Sequence, residues 1–229
     1  MTETILTPLK DAIHVISSGL LVPTILILLL FIAWLVIELG GLLMEIFIER
    51  RRKKINVPEL IDAFQEKNEE EILGEIERSC LFRRQKAALN ELIRHSKLPA
   101  TSLKALARRL LTGEELHYAR ITNRTDLVVR LGPMFGLMGT LIPLGPGIVA
   151  LGQGDTKALA DSLLIAFDTT VAGLIAAGVA FVISRLRKRW YEDYLSVLET
   201  LMESLLEVFY REWRIEKQKA EGAQVIGRG

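Results

Sequence analysis

The sequence is poor in the groups on which most catalysis depends. A single cysteine, Cys80, and three scattered histidines, His14, His95 and His117, show no metal-ligand spacing. One cysteine also excludes an internal disulfide framework, and its setting in a charged helical stretch reads as an ordinary reduced thiol. Gly145-Pro146-Gly147 is not a phosphate loop, because no strand precedes it and no Gly-Lys-Ser/Thr follows. There is no nucleophile elbow, no kinase signature set and no repeat of solenoid length. Excess charge of one sign is missing too: a net charge of +1 gives no reason to expect nucleic acid or an acidic partner. Met1 to Leu20 lacks the basic start and the small-residue cleavage site of a secretory signal, and carries Glu3, Lys10 and Asp11 instead. The apolar run that follows is therefore expected to be retained. An enzyme is disfavoured, and no catalytic residue, metal or cofactor is expected.

What the chain does have is segregation. Its 229 residues are 50% hydrophobic and 25% charged, and the two kinds fall in separate blocks. That pattern favours a membrane protein with a substantial aqueous portion. Residues 21–48, 127–151 and 158–184 are each long and apolar enough to cross roughly 30 Å of hydrocarbon at 1.5 Å per residue. Arg50, Arg51, Arg52, Lys53 and Lys54 follow the first span, and Arg120, Arg124 and Arg130 lead into the second. Arg185, Arg187, Lys188 and Arg189 follow the third, whereas the opposite side carries only Lys10 and Lys157. The positive-inside rule then puts the N-terminal segment 1–20 and the short loop 152–157 outside a cell membrane, with 49–126 and the C-terminus in the cytoplasm. Glu38 and Glu45, seven apart, share a face near the basic end of the first span. They are expected to snorkel or to pair with its arginines, with an intramembrane role for Glu38 left open.

The expected fold is all-α: a polytopic membrane protein with three transmembrane helices, long helices extending into the cytoplasm, and a helical cytoplasmic insert over 49–126. In that insert Leu60, Ile61 and Phe64, then Ile72, Leu73 and Ile76, form apolar stripes at helical spacing. Pro99 precedes a short basic helix expected around Leu103 to Leu111, and Thr112 with Glu115 reads as a capping box opening the next one. Residues 185–220 contain no glycine or proline, and Leu186, Trp190, Tyr194, Val197, Leu201, Leu205 and Val208 make one stripe on a long helix. Residues 221–229 are expected to be a disordered tail.

The most informative part is the hairpin of the last two spans. Gly132, Gly136 and Gly139 in one and Ala172, Gly173, Ala176 and Ala180 in the other offer surfaces for close helix packing. Pro133, Pro143 and Pro146 each remove a backbone donor, which predicts a kinked span, irregular towards its outer end and shielded from lipid. Asp168 lies inside the third span, where a carboxylate costs kilocalories and so marks a functional candidate. Thr169 and Thr170 follow it, and Thr140 lies at comparable depth in the other span. Any one of these threonines could simply bond its own i−4 carbonyl. Asp161 falls near the outer mouth.

GLMGTLI and AFDTTVAGLIAAG resemble the two signature segments of the MotA/TolQ/ExbB proton channel family. Gly136, Gly139 and Thr140 match its Gly-x-x-Gly-Thr motif, and Ala166, Thr170, Gly173 and Leu174 match its Ala-Leu-x-x-Thr-x-x-Gly-Leu motif. The order of parts also resembles TolQ and ExbB. The resemblance implies a homopentamer whose second and third helices line a pore, around a dimer of a single-span partner of the MotB, TolR or ExbD kind. That partner would supply the aspartate that takes up the ion, with Thr140 and Thr170 lining its path. Ion flow, of protons or sodium, would do mechanical work on the partner. One position departs: TolQ and ExbB commonly carry a glutamate where this chain has Ile165. Asp168, one turn deeper, is a candidate replacement in the ion pathway together with Thr169, or else a carboxylate that ties helices together. Asp168 and Thr170 lie about 200° apart on the helix and cannot both face one axis squarely. The competing reading of the whole chain is a membrane scaffold that assembles partners and conducts nothing.

Overall fold

The computed structural model describes residues 15–16, 19–51 and 56–226. Most of the expected outer N-terminal segment and the basic residues at 52–54 lie outside them. Every regular element among the described residues is a helix. In chain order these are α1 (Leu21–Arg51), α2 (Val57–Glu66), α3 (Glu69–Arg78), α4 (Arg83–Arg94), α5 (Ala100–Gly152) and α6 (Thr156–Ile226). The chain forms two units, one comprising the residues up to Phe47 with Ile121–Lys188, the other Ile48–Arg120 with Arg189–Gly229.

The first unit is built for hydrocarbon. Its helices α1, α5 and α6 each contain a stretch long and apolar enough to span a membrane, and that of α1 is only 17% buried within the chain. Leu28, Leu35 and Leu42, seven apart, are buried, while Leu30, Ile37, Met44 and Phe47 are bare. Such wide apolar exposure is tolerated where lipid or other subunits replace water. Phe31 of α1 meets Phe135 of α5 edge-on, with ring centroids 5.9 Å apart. The protein is a multi-pass membrane protein.

The second unit has an ordinary water-soluble core. Leu60, Phe64, Ile72, Ile76, Leu89 and Leu92 from α2 to α4 pack with Leu103 and Ala107 of α5 and with Leu198, Leu201 and Leu205 of α6. The expected stripe on α6 is there from Trp190 onward and wider, because Leu198, Met202, Leu206 and Phe209 are buried as well, whereas Leu186 at its start is exposed. Local chemistry places the short helices. Pro58 sits in the first turn of α2, where its missing N–H costs nothing. Glu69, Glu70 and Glu71 occupy the positive end of α3. The Phe82 N–H donates to Gln85 Oε1 at the start of α4, and the buried Gln85 amide donates to the Tyr194 carbonyl of α6 at 2.9 Å. Lys67, following α2, donates to Glu75 of α3 at 2.6 Å. That bond holds the Glu75 carboxyl below its ordinary 4.5, so the strut's small contribution is present above that pH and is lost as acid protonates it.

Four expectations change. No break separates a basic helix at 103–111 from the next, since α5 runs unbroken from Ala100. Gly113 alone costs only about 1 kcal/mol there, and the burial of Leu103 and Ala107 outweighs it. Thr112 is therefore interior and exposed rather than a cap. Nor is the outer end irregular: α5 stays helical through Pro133, Pro143 and Pro146 to Gly152. A proline removes one donor, and a span tolerates that loss where neighbours satisfy the freed carbonyl. The outer turn is tighter than expected, because α6 begins at Thr156, where Asp155 Oδ1 accepts from the Ala158 N–H and Gly154 takes φ +79°. At the other end α6 remains helical past Gly222 to Ile226, within the segment expected to be a tail.

The soluble core gives a direct test. Leu89→Ala, at a residue with 0% exposure, is expected to cost about 2–5 kcal/mol, and Leu116→Ala, at 55% exposure, under about 0.5. Thermal unfolding of the full chain in detergent measures both.

Candidate functional site

α5 and α6 run antiparallel and almost touch. Gly147 lies against Ser162 and Leu159, Gly139 against Thr169, and Gly132 against Gly173 and Ala177. A Cβ on Gly173 would fall 2.6 Å from the Gly132 carbonyl oxygen and 2.9 Å from the Gly136 Cα, so backbone faces backbone there. In lipid, where no hydrophobic force pushes helices together, this approach is how spans gain packing energy. The glycines expected to shape the hairpin are thus brought together. Of the prolines, Pro143 is buried and Pro133 and Pro146 are exposed.

The seam decides where the polar side chains point. A Cβ on Gly139 would stand 2.5 Å from both Cβ and Oγ1 of Thr169, so Thr169 fills the space that Gly139 leaves. Successive residues of a helix advance about 100° in one rotational sense along the chain. Seen from one membrane face, that sense reverses between antiparallel helices. Residues that follow a facing pair therefore turn to the same flank. Thr140 and Thr170 follow Gly139 and Thr169, and both are half-buried on one flank. Gly136 lies in the seam itself, its Cβ direction 3.3 Å from the Thr169 carbonyl oxygen, 3.4 Å from the Gly173 Cα and 3.5 Å from the Thr170 Cα. Asp168 precedes Thr169 and turns to the opposite flank, where it is exposed. No described residue holds its carboxylate.

All three hydroxyls donate to their own helix. Thr140 Oγ1 donates to the Leu137 carbonyl at 2.6 Å, and Thr170 Oγ1 to the Ala166 carbonyl at 3.0 Å. Thr169 Oγ1 shares its proton between the Ile165 and Ala166 carbonyls at 2.8 and 3.0 Å. With the proton committed, what each hydroxyl can still offer is its acceptor lone pairs. The half-buried flank of Thr140 and Thr170 is thus a place where a cation or a water molecule could be accepted.

Two ion-paired latches lie at the basic end of the same unit; sequence reasoning missed the first, and for the second it missed which arginine takes part. Asp126 of α5 accepts from Ser184 and from Lys188 of α6, each at 2.5 Å. Asp126 is fourteen residues before Thr140, and Ser184 fourteen after Thr170, so this latch continues the threonine flank roughly 21 Å along it. The two-heptad spacing was the available signal. Arg187, with its side chain 8% exposed, lies between Glu38 and Glu45 of α1, at 2.5 and 3.4 Å. The two glutamates do pair with an arginine, but with one on the third span rather than in the cluster after their own helix. Among the described residues no His, Cys, Asp and Glu cluster could hold a metal. The cavity of about 440 Å³ lined by Lys104, Arg108, Glu199 and Glu203 belongs to the second unit and touches none of these groups.

Residues 76–200, more than half of the chain, match the MotA/TolQ/ExbB proton channel family. The chain belongs to that family. No curated protein matches it. Membership gives a general ion-channel and energy-transducing role to a chain with three apolar helices. The MotA/TolQ/ExbB match contains the whole hairpin, both motifs and Asp126, Arg187 and Lys188, while α1 lies before it.

Two outcomes follow from this geometry. Gly173→Ala, whose new methyl would meet backbone on both sides, is expected to destabilise the hairpin by about 1–3 kcal/mol. Gly136→Ala, with neighbours at 3.3–3.5 Å, is expected to cost clearly less in the same unfolding assay. Arg187→Gln is expected to lower the unfolding temperature more than Lys188→Gln, because the Lys188 side chain is 43% exposed and solvent screens its pair.

Proposed function

We propose that this protein is the pore-forming subunit of an ion-driven, energy-transducing membrane complex, with the proton as first candidate ion. The observation that carries the reading is that Thr140 and Thr170, the motif threonines of two different spans, share one half-buried flank of the hairpin. Several copies, five on the family's pattern, would turn that flank to a common axis. Their threonine lone pairs would then accept the ion or the water that carries it. A dimer of a single-span partner of the MotB, TolR or ExbD kind would stand in the ring, carry the titrating carboxylate and receive the mechanical work. The basic flanks of the spans support a cell-membrane orientation with the N-terminus outside and the insert and C-terminus in the cytoplasm. Asp168, on the other flank, would act on ion flow only through a neighbouring copy.

A second reading is a scaffold that assembles partners without conducting. It is favoured by the hydroxyl bonds to own-helix carbonyls, which purely structural threonines also make. The double variant Thr140→Val/Thr170→Val separates the two, since it keeps shape and removes both hydroxyls. In vesicles holding the chain and its partner, ion flux is expected to fall by about tenfold or more, a barrier increase of about 1.4 kcal/mol. Unchanged flux and unchanged partner output would favour the scaffold.

A further inference from the structure

We propose that Thr169 is a positioning residue rather than an ion ligand. Its side chain, wedged on Gly139, sets the roll of α6 that turns Thr170 to the Thr140 flank and Asp168 away from it. The inference rests on the reading that the threonine flank carries the ion.

Three observations carry it. Thr169 is 7% exposed and faces the partner helix, so its oxygen is screened from any lumen by α5. Its rotamer is fixed, because the hydroxyl proton is shared between the Ile165 and Ala166 carbonyls of its own helix. Its contact surface is the bare backbone of Gly139, where the three nearest atoms to a new Cβ are Thr169 Cβ, Oγ1 and Cγ2, at 2.5, 2.5 and 3.0 Å. A threonine in a glycine notch resists rolling in both directions. About 100° of helical advance separates Thr169 from Asp168 on one side and from Thr170 on the other. A roll of half that angle would bring Thr170 towards α5 or push it towards the outer face. The adjacent Gly136 and Gly173 set how near the helices come, and the bulkiest side chain seated in a glycine notch of this seam's centre is Thr169.

The wedge and the ligand readings differ in what a hydroxyl is for. Thr169→Val keeps the branched shape and loses the hydroxyl, while Thr169→Ser does the reverse. Gly139→Ala fills the notch, and Gly136→Ala serves as a folding control. Roll is read without ion flow, on the full chain with Cys80 replaced by serine. Cysteine pairs are placed at 140 with 170 and at 140 with 168, then bridged in the membrane with a short bifunctional thiol reagent. The 140–170 pair is expected to bridge at least about fivefold faster than 140–168. That preference should persist with Thr169→Val and collapse with Gly139→Ala. Flux with the partner present is expected to stay within about twofold for Thr169→Val and to fall for Thr169→Ser and Gly139→Ala. A tenfold loss of flux in Thr169→Val with the bridging preference intact would make the hydroxyl itself part of the path and overturn the proposal. An undiminished preference in Gly139→Ala would overturn it as well. If no form of the protein passes ions, the bridging pattern still decides the roll, and only the conduction reading is lost.

Discussion

The membrane unit depends on how near two backbones can come. Gly132, Gly136 and Gly173 put main chain against main chain between α5 and α6, with the small Ala177 methyl beside Gly132. In water such a seam would be a poor core, because it buries little apolar area per residue. In lipid the comparison differs: exposed leucine is already in an apolar solvent, and close dispersion contact is what remains to be gained. This also explains why α5 tolerates three prolines. A helix packed along one side by a partner can stay helical through prolines where an isolated one would break.

Charge is concentrated where the seam ends. Consecutive residues of α6 hold the other two spans, Arg187 gripping Glu38 and Glu45 of α1 and Lys188 gripping Asp126 of α5. The two grips differ in kind. Arg187 is nearly buried, so its removal leaves carboxylates stranded in a poor solvent, while Lys188 is half open and screened. Three carboxylates face these two cations, and all lie towards the basic end of their spans. The third span is therefore the hub of the unit: it carries the seam on one stretch and both latches on the next.

The elements that depend on runs and periods were legible in the sequence. That three helices are long and apolar enough to cross a membrane follows from apolar length, the insert's helices from the Leu60–Phe64 and Ile72–Ile76 stripes, and the seam from glycines at GxxxG spacing. What was not legible is rotation and reach. Asp168, Thr169 and Thr170 are neighbours in the chain, yet about 100° apart each on the helix, and only the seam says which one faces α5. Thr169, grouped with the ion pathway on sequence, lies in the interface. Arg187 is a long-range partner, 149 residues from Glu38, and no local pattern announces it. The continuity of α5 was hidden because Thr112, Gly113 and the prolines are true breaking signals that tertiary packing overrides.

The chemistry of the threonine flank argues for a second protein. Hydroxyls whose protons are committed to their own helix can accept from water or coordinate a cation, but they do not titrate near neutrality. A device that takes up and releases protons in turn needs a group that does. Asp168 is on the other flank, and Asp161, seven residues earlier, shares its side. The described carboxylate continuing the threonine flank is Asp126, about 21 Å away along the helices and already held by Ser184 and Lys188. A lane of acceptors without a free carboxylate can guide an ion but cannot count it. In the proposed complex the titrating group would therefore have to come from another chain placed against this flank.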